Sequence, residues 1–247
     1  MALRALIFDV DGTLAETEEL HRAAFNDAFA SAGLDWIWDV DRYRELLHVT
    51  GGKERIRRFA NHRGLSSADL SDAEIADLHR LKNEGYAAMM RAGLCALRPG
   101  VARLIDAARA ERLRLAICTT TSRANVDVLI EATLDAVSPG PFELIVSGDE
   151  APVKKPAPDA YWLVLRGLGL SAGECLAFED SRNGLLSAHA AGISTVITPS
   201  RYTAHESFDG AARILPDLAG FDPWSILSLA ADASRRLRDL LGNRERV

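Results

Sequence analysis

The stretch LRALIFDVDGT, residues 3–13, decides the fold, because a short apolar run ends abruptly in two carboxylates and a glycine. A run of Leu, Ile, Phe and Val that stops at a turn is typical of a strand buried on both faces of a parallel sheet. Similar runs recur at residues 113–118, 144–147, 175–178, 194–197 and 213–215. Segments with helical periodicity separate several of them, at residues 101–110, 125–134, 159–167 and 183–191. The alternation predicts a doubly wound α/β fold with helices on both faces of a parallel sheet, resembling a Rossmann fold.

Residues 16–97 interrupt this alternation, since they show amphipathic helical patterns and no convincing strand. Two apolar stripes are predicted there, one at His21, Phe25, Ala28, Phe29 and Ala32, and the other at Leu78, Leu81, Gly85 and Met89. We therefore expect an all-helical cap domain at residues 16–97, inserted into a catalytic core of residues 1–15 and 98–247. The crossings at residues 15–18 and 97–100 are the hinge candidates for a lid that opens and closes. Beyond Asp222, the pattern predicts one more amphipathic helix, docked on the core.

Composition narrows the function classes. The 247 residues are 48% hydrophobic and 26% charged, which suits a folded protein with a sizeable core. The 29 Lys and Arg against 35 Asp and Glu, a net charge of -6, argue against nucleic acid as a partner. No apolar run is long enough for a membrane helix, and no targeting segment is evident, so we expect a cytoplasmic monomer that acts on small metabolites. The cysteines, which lack C-x-x-C spacing, are predicted to be ordinary buried thiols.

The acidic motif at residues 9–13 carries the strongest chemical signal. Asp9 and Asp11 follow the first predicted strand, at the sheet edge where open α/β folds bind ligands. Carboxylates this close favour the protonation of one of them or the binding of a cation. Gly12 permits a sharp turn, and Thr13 can cap it or hold a phosphate oxygen. Taken alone, the motif would be better explained as two acids in a surface turn.

Three further polar segments follow other predicted strands, namely TTTS at 119–122, KPAP at 155–158 and EDS at 179–181. Because the carboxyl ends of parallel strands share one edge of a sheet, all four segments can meet despite their separation along the chain. Together they supply a carboxylate nucleophile, an acid/base, hydroxyl donors, the fixed cation of Lys155 and a second carboxylate pair. These groups suit magnesium binding and phosphoryl transfer.

The DVDGT motif, Thr119, Lys155 within KPAPD and the EDS motif resemble, in order, the four signatures of the haloacid dehalogenase superfamily of aspartate-nucleophile phosphotransferases. The helical insert resembles the superfamily's type I cap, and residues 9–21 resemble its β-phosphoglucomutase branch. Within that branch, short motifs are similar to those of a Calvin-cycle-associated phosphatase of xylulose 1,5-bisphosphate, a Rubisco inhibitor. They lie at residues 16–21, 43–47, 50–55, 119–122 and 202–206.

The resemblance implies roles for the core residues. Asp9 would attack phosphorus, and Asp11 would protonate the leaving oxygen and then activate water. Mg²⁺ would be held by Asp9, by the main-chain carbonyl of Asp11 and by Asp180, with Glu179 as a further ligand or a neighbour of one. The transferring phosphate would be held by Thr119, the Thr120 amide and Lys155.

The cap contains a candidate for binding a second phosphate. Gly51, Gly52 and Lys53, followed by Arg55, can open a helix whose amino end and side chains grip an anion. The alternative is a helix-start turn with solvated basic side chains, because Gly-Gly-Lys is too short to identify a phosphate loop by itself.

Other cap residues are also open to two interpretations. Glu18 and Tyr43 can hydrogen-bond sugar hydroxyls. The alternative is that Glu18 is a solvated acid and Tyr43 a packing residue. Thr17 and His21, four residues apart, share a helix face that can point to the cleft, although a histidine on an apolar stripe is ordinarily a core residue. Lys82 is either a substrate ligand or solvated.

Asn125, just beyond the threonine cluster, either reaches a ligand or belongs to a helix start. The histidines at positions 48, 62, 79 and 189 and the tryptophans receive no functional role.

Three functions remain in competition. The leading hypothesis is a magnesium-dependent phosphatase that removes the carbon-1 phosphate of xylulose 1,5-bisphosphate to give xylulose 5-phosphate. The second is a sugar phosphomutase, in which the same aspartate pair returns the phosphate to a sugar. The third is a phospho-acceptor signalling module, against which the large helical insert argues. Turnover by an Asp9→Asn variant separates catalysis from signalling.

Overall fold

The computed structural model describes residues 2–134 and 140–223. Its described strands form one six-stranded parallel sheet in the order β3-β2-β1-β4-β5-β6. The strands are β1 Ala5–Phe8, β2 Arg114–Cys118, β3 Leu144–Val146, β4 Cys175–Glu179, β5 Ser194–Ile197 and β6 Arg213–Ile214. Each predicted strand is therefore confirmed to within two residues at either end.

Eight α-helices occur within the described ranges. Four form a helical insert that follows β1, namely α1 Glu18–Ser31, α2 Val40–Leu46, α3 Gly52–His62 and α4 Asp72–Arg91. The other four accompany the sheet, namely α5 Val101–Ala110, α6 Arg123–Thr133, α7 Asp159–Leu168 and α8 Arg182–Ala190. A short 3-10 helix, Ala172–Glu174, precedes β4.

The alternation of side chains along β1 explains the layers. Leu6 and Phe8 pack in one buried cluster with residues of α5 and α6, whereas Ala5 and Ile7 pack in another with residues of α7 and α8. Since successive strand residues face opposite sides of a sheet, helices cover both faces. The predicted doubly wound α/β fold is confirmed.

The helical insert has its own aromatic core. Phe25, Phe29, Trp36, Trp38 and Tyr43 are all buried there, with ring centroids about 5 to 6 Å apart in several pairs. The N-terminus of α4 is fixed by reciprocal hydrogen bonds between Ser71, which precedes the helix, and Glu74, its third residue, a capping box that satisfies otherwise free amides. The insert therefore carries its own buried cluster, which we call the cap cluster.

Both predicted stripes need correction. Ala32 is exposed, because α1 ends at the preceding residue. On α4, the buried face runs through Leu78, Lys82, Tyr86 and Met90, while the predicted Leu81, Gly85 and Met89 are only partly buried. Because α4 packs against both α1 and α6, its buried face is displaced from the stripe that periodicity indicated.

The two chain crossings between sheet and insert lie side by side. Ala15 forms an antiparallel bridge with Leu97, and the Arg98 amide donates to the Leu14 carbonyl at 2.8 Å. The buried Arg98 guanidinium donates to the carbonyls of Gly12, Thr198, Pro199 and Pro216. We propose this pair of crossings as the boundary between the predicted core and cap.

Two further expectations concern the C-terminal segment and membrane-spanning helices. The predicted C-terminal helix and Trp224 lie outside the described residues. Within the described ranges, no helix combines the length and apolar character needed to cross a membrane.

Candidate active site

A cavity of about 350 Å³ lies between the carboxyl edge of the sheet and the helical insert. The register of the sheet explains its core side, since Phe8 of β1 is level with Ile117 of β2 and Phe178 of β4. The polar residues that follow these strands therefore emerge at one level. Predicted residues that line the cavity are Asp9, Asp11, Thr119, Thr120, Lys155 and Asp180 from the sheet side, and Glu18, His21, Gly51, Gly52, Lys53, Arg55 and Lys82 from the insert.

Lys155 is the buried cation at the centre of the core side. Its Nζ donates to Asp9 Oδ1 at 2.8 Å, to the Cys118 carbonyl at 2.7 Å and to Glu179 Oε1 at 2.6 Å. Burial opposes the charged form, but the carboxylates of Asp9 and Glu179 raise the pKa of Lys155 well above its ordinary value. The ammonium is thus a permanent charge that fixes the orientation of Asp9.

Three buried carboxylates surround this cation. Asp9, Glu179 and Asp180 each offer an oxygen, and these oxygens lie within 4.8 Å of one another. Burial raises the pKa of Asp9 and of Asp180, and it raises that of Glu179 to about 7, although Lys155 opposes the shift at Asp9 and Glu179. Glu179 Oε2 is buried without a hydrogen-bond partner among the described residues. One ammonium cannot balance three carboxylates, so this all-oxygen set fits a hard divalent cation such as Mg²⁺.

The position of Asp180 depends on its neighbours. Gly12 has a φ of 79°, and a Cβ there would lie 2.2 Å from Asp180 Oδ2 and 2.9 Å from the Ser200 Cβ. Thr203 Oγ1 lies 2.8 Å from the Asp180 carbonyl and 3.3 Å from its Oδ2, and donates to that residue. Glycine is therefore required for the close approach of the acidic turn to the carboxylate.

Asp11 lies in a different environment from Asp9. It accepts hydrogen bonds from Thr17 Oγ1 at 2.5 Å and from His21 Nε2 at 2.9 Å. Burial opposes ionisation, but His21 and Thr17 lower the pKa of Asp11 well below its usual range. Burial and Lys82 lower the pKa of His21 to about 4, so its ring is neutral at pH 7 and donates through Nε2. The ring stacks on Tyr86 with centroids 4.2 Å apart.

Several predicted residues support the cavity wall without lining the cavity. The Thr13 hydroxyl donates a hydrogen bond to Asp9 Oδ2 at 3.4 Å. Asn125 Nδ2 donates to Asn83 Oδ1 at 3.2 Å and to Thr121 Oγ1 at 3.3 Å, which ties α6 to α4. Thr13 and Asn125 therefore contact protein atoms and do not line this cavity.

A polar chain connects three predicted residues of the insert. Tyr43 donates its hydroxyl to Glu18 Oε2 at 2.7 Å, and Arg55 donates to the Tyr43 hydroxyl oxygen at 3.2 Å. Burial raises the pKa of Glu18 to about 7, although Arg55 opposes that shift. Glu18 and Arg55 line the cavity, whereas Tyr43 does not and links the two side chains through its hydroxyl group.

Lys82 is only 4% exposed, so the solvated alternative is wrong. Its ammonium lies 5.2 Å from the Phe25 ring centre and 5.3 Å from that of Tyr86. Burial lowers the pKa of Lys82 to about 7, against the opposing charge of Asp11. The side chain therefore presents a weakly solvated, readily titrated cation to the cavity.

The amino end of α3 forms the far end of the cavity. Gly51 precedes the helix with a φ of 100°, and a Cβ on Gly52 would lie 2.4 Å from His79 Nε2. Burial, Lys82 and Lys53 lower the pKa of His79 to about 3. Free helix amides and nearby cations make this end suitable for an anion.

Sequence reasoning gave no functional role to several residues that line this cavity, among them His79 and Lys154. His79 lies on the partly buried side of α4, where its spacing gave no functional signal. Lys154 Nζ donates to Glu54 Oε1 at 2.5 Å and so links the insert to the sheet side. A pair between residues so distant in sequence has no local signature.

A family model for haloacid dehalogenase-like hydrolases matches residues 3–192. Protein CbbY from Rhodobacter capsulatus is 57% identical over 219 residues, which cover 89% of this chain and 95% of that protein. Protein CbbY from Cereibacter sphaeroides is 48% identical over 93% of this chain and 98% of its own length.

Solved structures show the same likeness. The crystal structure of a CbbY mutant from Rhodobacter sphaeroides in complex with xylulose-(1,5)bisphosphate has a TM-score of 0.83 and 49% identity, and the match covers 88% of this chain and 96% of that one. The β-phosphoglucomutase of Clostridium difficile has a TM-score of 0.77 at 18% identity, over 92% and 96% of the two chains, which shows a shared fold.

Proposed function

Because the chain belongs to the haloacid dehalogenase-like hydrolase family and is a phosphatase of that family, we propose that it removes the carbon-1 phosphate of xylulose 1,5-bisphosphate in a magnesium-dependent reaction. The products are xylulose 5-phosphate and orthophosphate. The observation that carries this proposal is the pair of cationic regions at opposite sides of one cavity, Lys155 beside Asp9 and Lys53 with Arg55 at the start of α3. Two such regions suit a substrate with two phosphates, which is the ligand of the related CbbY structure.

Asp9 is the proposed nucleophile. An Asp9 oxygen attacks phosphorus, and the bond between phosphorus and the carbon-1 oxygen breaks, leaving an acyl phosphate on Asp9. Lys155 on Oδ1 and Thr13 near Oδ2 hold the carboxylate in one orientation. Since orientation of the reacting groups supplies much of the rate in phosphoryl transfer, this double support favours attack along a defined line.

Asp11 is the proposed acid and base. It gives a proton to the departing sugar oxygen, and in the second step it takes a proton from the water that hydrolyses the acyl phosphate on Asp9. The hydrogen bonds from Thr17 and His21 stabilise its ionised form before substrate binds. A neighbouring phosphate dianion raises the pKa of a carboxyl group, so substrate binding favours the protonated form that the first step requires.

The remaining core groups hold the phosphate. Asp9, Asp180, Glu179 and the main-chain carbonyl of Asp11 are the proposed Mg²⁺ ligands, and the ion would neutralise charge on the phosphate oxygens. Thr119 Oγ1 accepts a hydrogen bond from the Thr121 amide at 3.2 Å, which leaves its proton for a phosphate oxygen. Thr119 and the Thr120 amide therefore complete the binding of the transferring group.

The insert contributes specificity in this proposal. The amino end of α3, with Gly51, Gly52, Lys53 and Arg55, binds the second phosphate, and Lys82 adds a further cation between the two ends. Glu18, held by Tyr43, accepts hydrogen bonds from sugar hydroxyls. A cytoplasmic location and a monomeric state stay predictions.

Orthophosphate release from xylulose 1,5-bisphosphate, compared with a panel of sugar monophosphates, tests the proposal. We expect a clear preference in kcat/KM for the bisphosphate, and no turnover by a folded Asp9→Asn variant. Arg55→Met should raise KM for the bisphosphate more than for a monophosphate, while Arg58→Met, at an exposed position of the same helix, should not.

Each alternative has its own outcome. Absence of any preference for the bisphosphate rejects the substrate. Conversion to an isomeric sugar phosphate without free phosphate selects a phosphomutase. Full turnover by Asp9→Asn contradicts the nucleophile.

A further inference from the structure

The segment that follows β5, residues 199–207, joins the proposed metal site to the cap cluster. We call it the β5 loop. Its start is fixed by Arg98, which donates to the Pro199 carbonyl at 2.9 Å, and its far end by Glu206, which accepts from the Arg182 amide at 2.6 Å. Between these points, Tyr202 and Thr203 are both buried although their neighbours Arg201 and Ala204 are exposed. The middle of the loop is thus held by two side chains.

Thr203 faces the sheet edge. Its hydroxyl accepts from the Ser200 amide at 2.9 Å and lies 2.8 Å from the Asp180 carbonyl and 3.3 Å from Asp180 Oδ2. Ser200 Oγ lies 3.0 Å from the same hydroxyl. The backbone and carboxylate of Asp180 are therefore supported by this turn, and Gly12 leaves the space in which Asp180 and Ser200 approach the acidic turn.

Tyr202 faces the insert. It is 2% exposed and is a buried member of the cap cluster, where its ring meets the Tyr43 ring edge to face at 5.5 Å. Its hydroxyl donates to Glu19, and Glu19 in turn accepts from Arg22 at 3.1 Å. Among the buried members of that cluster within the described residues, Tyr202 alone comes from the sheet side of the chain.

We propose that Tyr202 is a positioning residue for the metal site, whose anchored ring holds the Thr203 hydroxyl on Asp180. Adjacent residues cannot move independently, so loss of the anchor lets the turn shift and releases the support of Asp180. Partners of metal ligands commonly set metal affinity, because they orient the ligating oxygen. Metal binding thereby depends on the contact between Tyr202 and the insert. The inference rests on the magnesium site of the proposed function.

Direct titration of Mg²⁺ by calorimetry, without substrate, tests this role. Tyr202→Leu removes both the ring edge and the hydroxyl, and we expect its Mg²⁺ dissociation constant to rise about tenfold. Thr203→Val removes the hydroxyl at the next position and should give a similar rise. Because both variants interrupt one connection, the double variant should bind Mg²⁺ no more weakly than either single variant, to within about twofold.

Two further variants separate positioning from general stability. Tyr202→Phe keeps the ring in the cluster and should restore Mg²⁺ binding to within about twofold of the parent. Phe59→Leu makes the same ring-to-leucine change elsewhere in the cap cluster, where Phe59 packs against Trp36 and Trp38. It should lower the thermal midpoint and leave Mg²⁺ binding unchanged.

The opposite results are equally clear. Parent-like Mg²⁺ binding by Tyr202→Leu overturns the inference and leaves Arg98 as the sufficient support of the loop. Equal weakening by Phe59→Leu also overturns it, since the effect would then come from stability alone. Absence of Mg²⁺ binding by the parent protein rejects the proposed metal site, and this inference with it.

Discussion

Replacement of Lys155 by methionine tests the electrostatic balance of the core site. Methionine has a similar length but no charge, so Asp9 and Glu179 stay buried and lose their shared cation. Lys155 is 4% exposed, and water cannot readily take its place. Removal of one partner from a buried ion pair typically costs about 3–5 kcal/mol, because the remaining charge is left uncompensated. We expect a loss of that size in the free energy of unfolding at pH 8 in EDTA.

The pH dependence of this loss provides a second criterion. Burial already raises the pKa of Asp9 and Glu179, and loss of the ammonium raises both further. The folded variant then holds more protons than its unfolded chain between the ordinary carboxyl pKa and the raised value. Its free energy of unfolding must therefore fall as the pH rises through that interval. The loss relative to the parent should be smaller at pH 6 than at pH 8.

Urea denaturation at both pH values measures these quantities, and the adjacent Lys154→Met is the matched control. Among the described residues, Lys154 forms an ion pair with Glu54, and both side chains are partly exposed. Such a pair contributes about 1 kcal/mol or less. A Lys155→Met loss no larger than that of Lys154→Met at pH 8, or a larger loss at pH 6 than at pH 8, would refute the reasoning.

Two further predictions concern the cavity. Burial lowers the pKa of Lys82 to about 7, so this side chain loses its charge as the pH rises. The KM for a bisphosphate should therefore increase by up to about tenfold per pH unit above pH 7. Lys82→Arg, which stays charged, should flatten that pH profile, and an unchanged slope in the variant would contradict the role of Lys82. Gly12→Ala should abolish most turnover, because its Cβ would lie 2.2 Å from Asp180 Oδ2. Gly33 has a φ of 73° and open space around it, so Gly33→Ala should lower only the free energy of unfolding, by the roughly 1–2 kcal/mol that a left-handed backbone conformation costs. Full turnover by Gly12→Ala, measured beside unfolding curves for both variants, would show that the close approach is unimportant.

The sequence predicted the meeting of the core motifs because one topological rule governs it. Parallel strands bring their carboxyl ends to one edge, and the strands before Asp9, Thr119 and Glu179 were recognisable as short apolar runs. The placement of Asp180 followed from its position next to Glu179. The helical insert and its two crossings were predictable for a similar reason, since a change from alternating to purely helical periodicity is visible in the sequence.

Individual side-chain partners were not predictable to the same degree. Periodicity chose the wrong stripe of α4, because that helix packs against two neighbours and buries Lys82 between aromatic rings. Thr13 and Asn125 have suitable chemistry for a ligand, yet each bonds to protein atoms. Tyr161, which donates to Glu179 at 2.5 Å, looks in sequence like an ordinary core residue of a helix. Such contacts depend on distances across the fold, which local patterns do not contain.

The bridge between Ala15 and Leu97 gives the molecule a modular character. The chain leaves the sheet and returns to it at neighbouring positions, so the whole intervening stretch is an insertion whose two ends lie side by side. Within the described residues, the six strands pair with one another without any residue of that stretch. Exchange of that stretch would nevertheless remove Thr17 and His21, which hydrogen-bond Asp11, so a replacement stretch would have to supply these partners as well as a new selectivity.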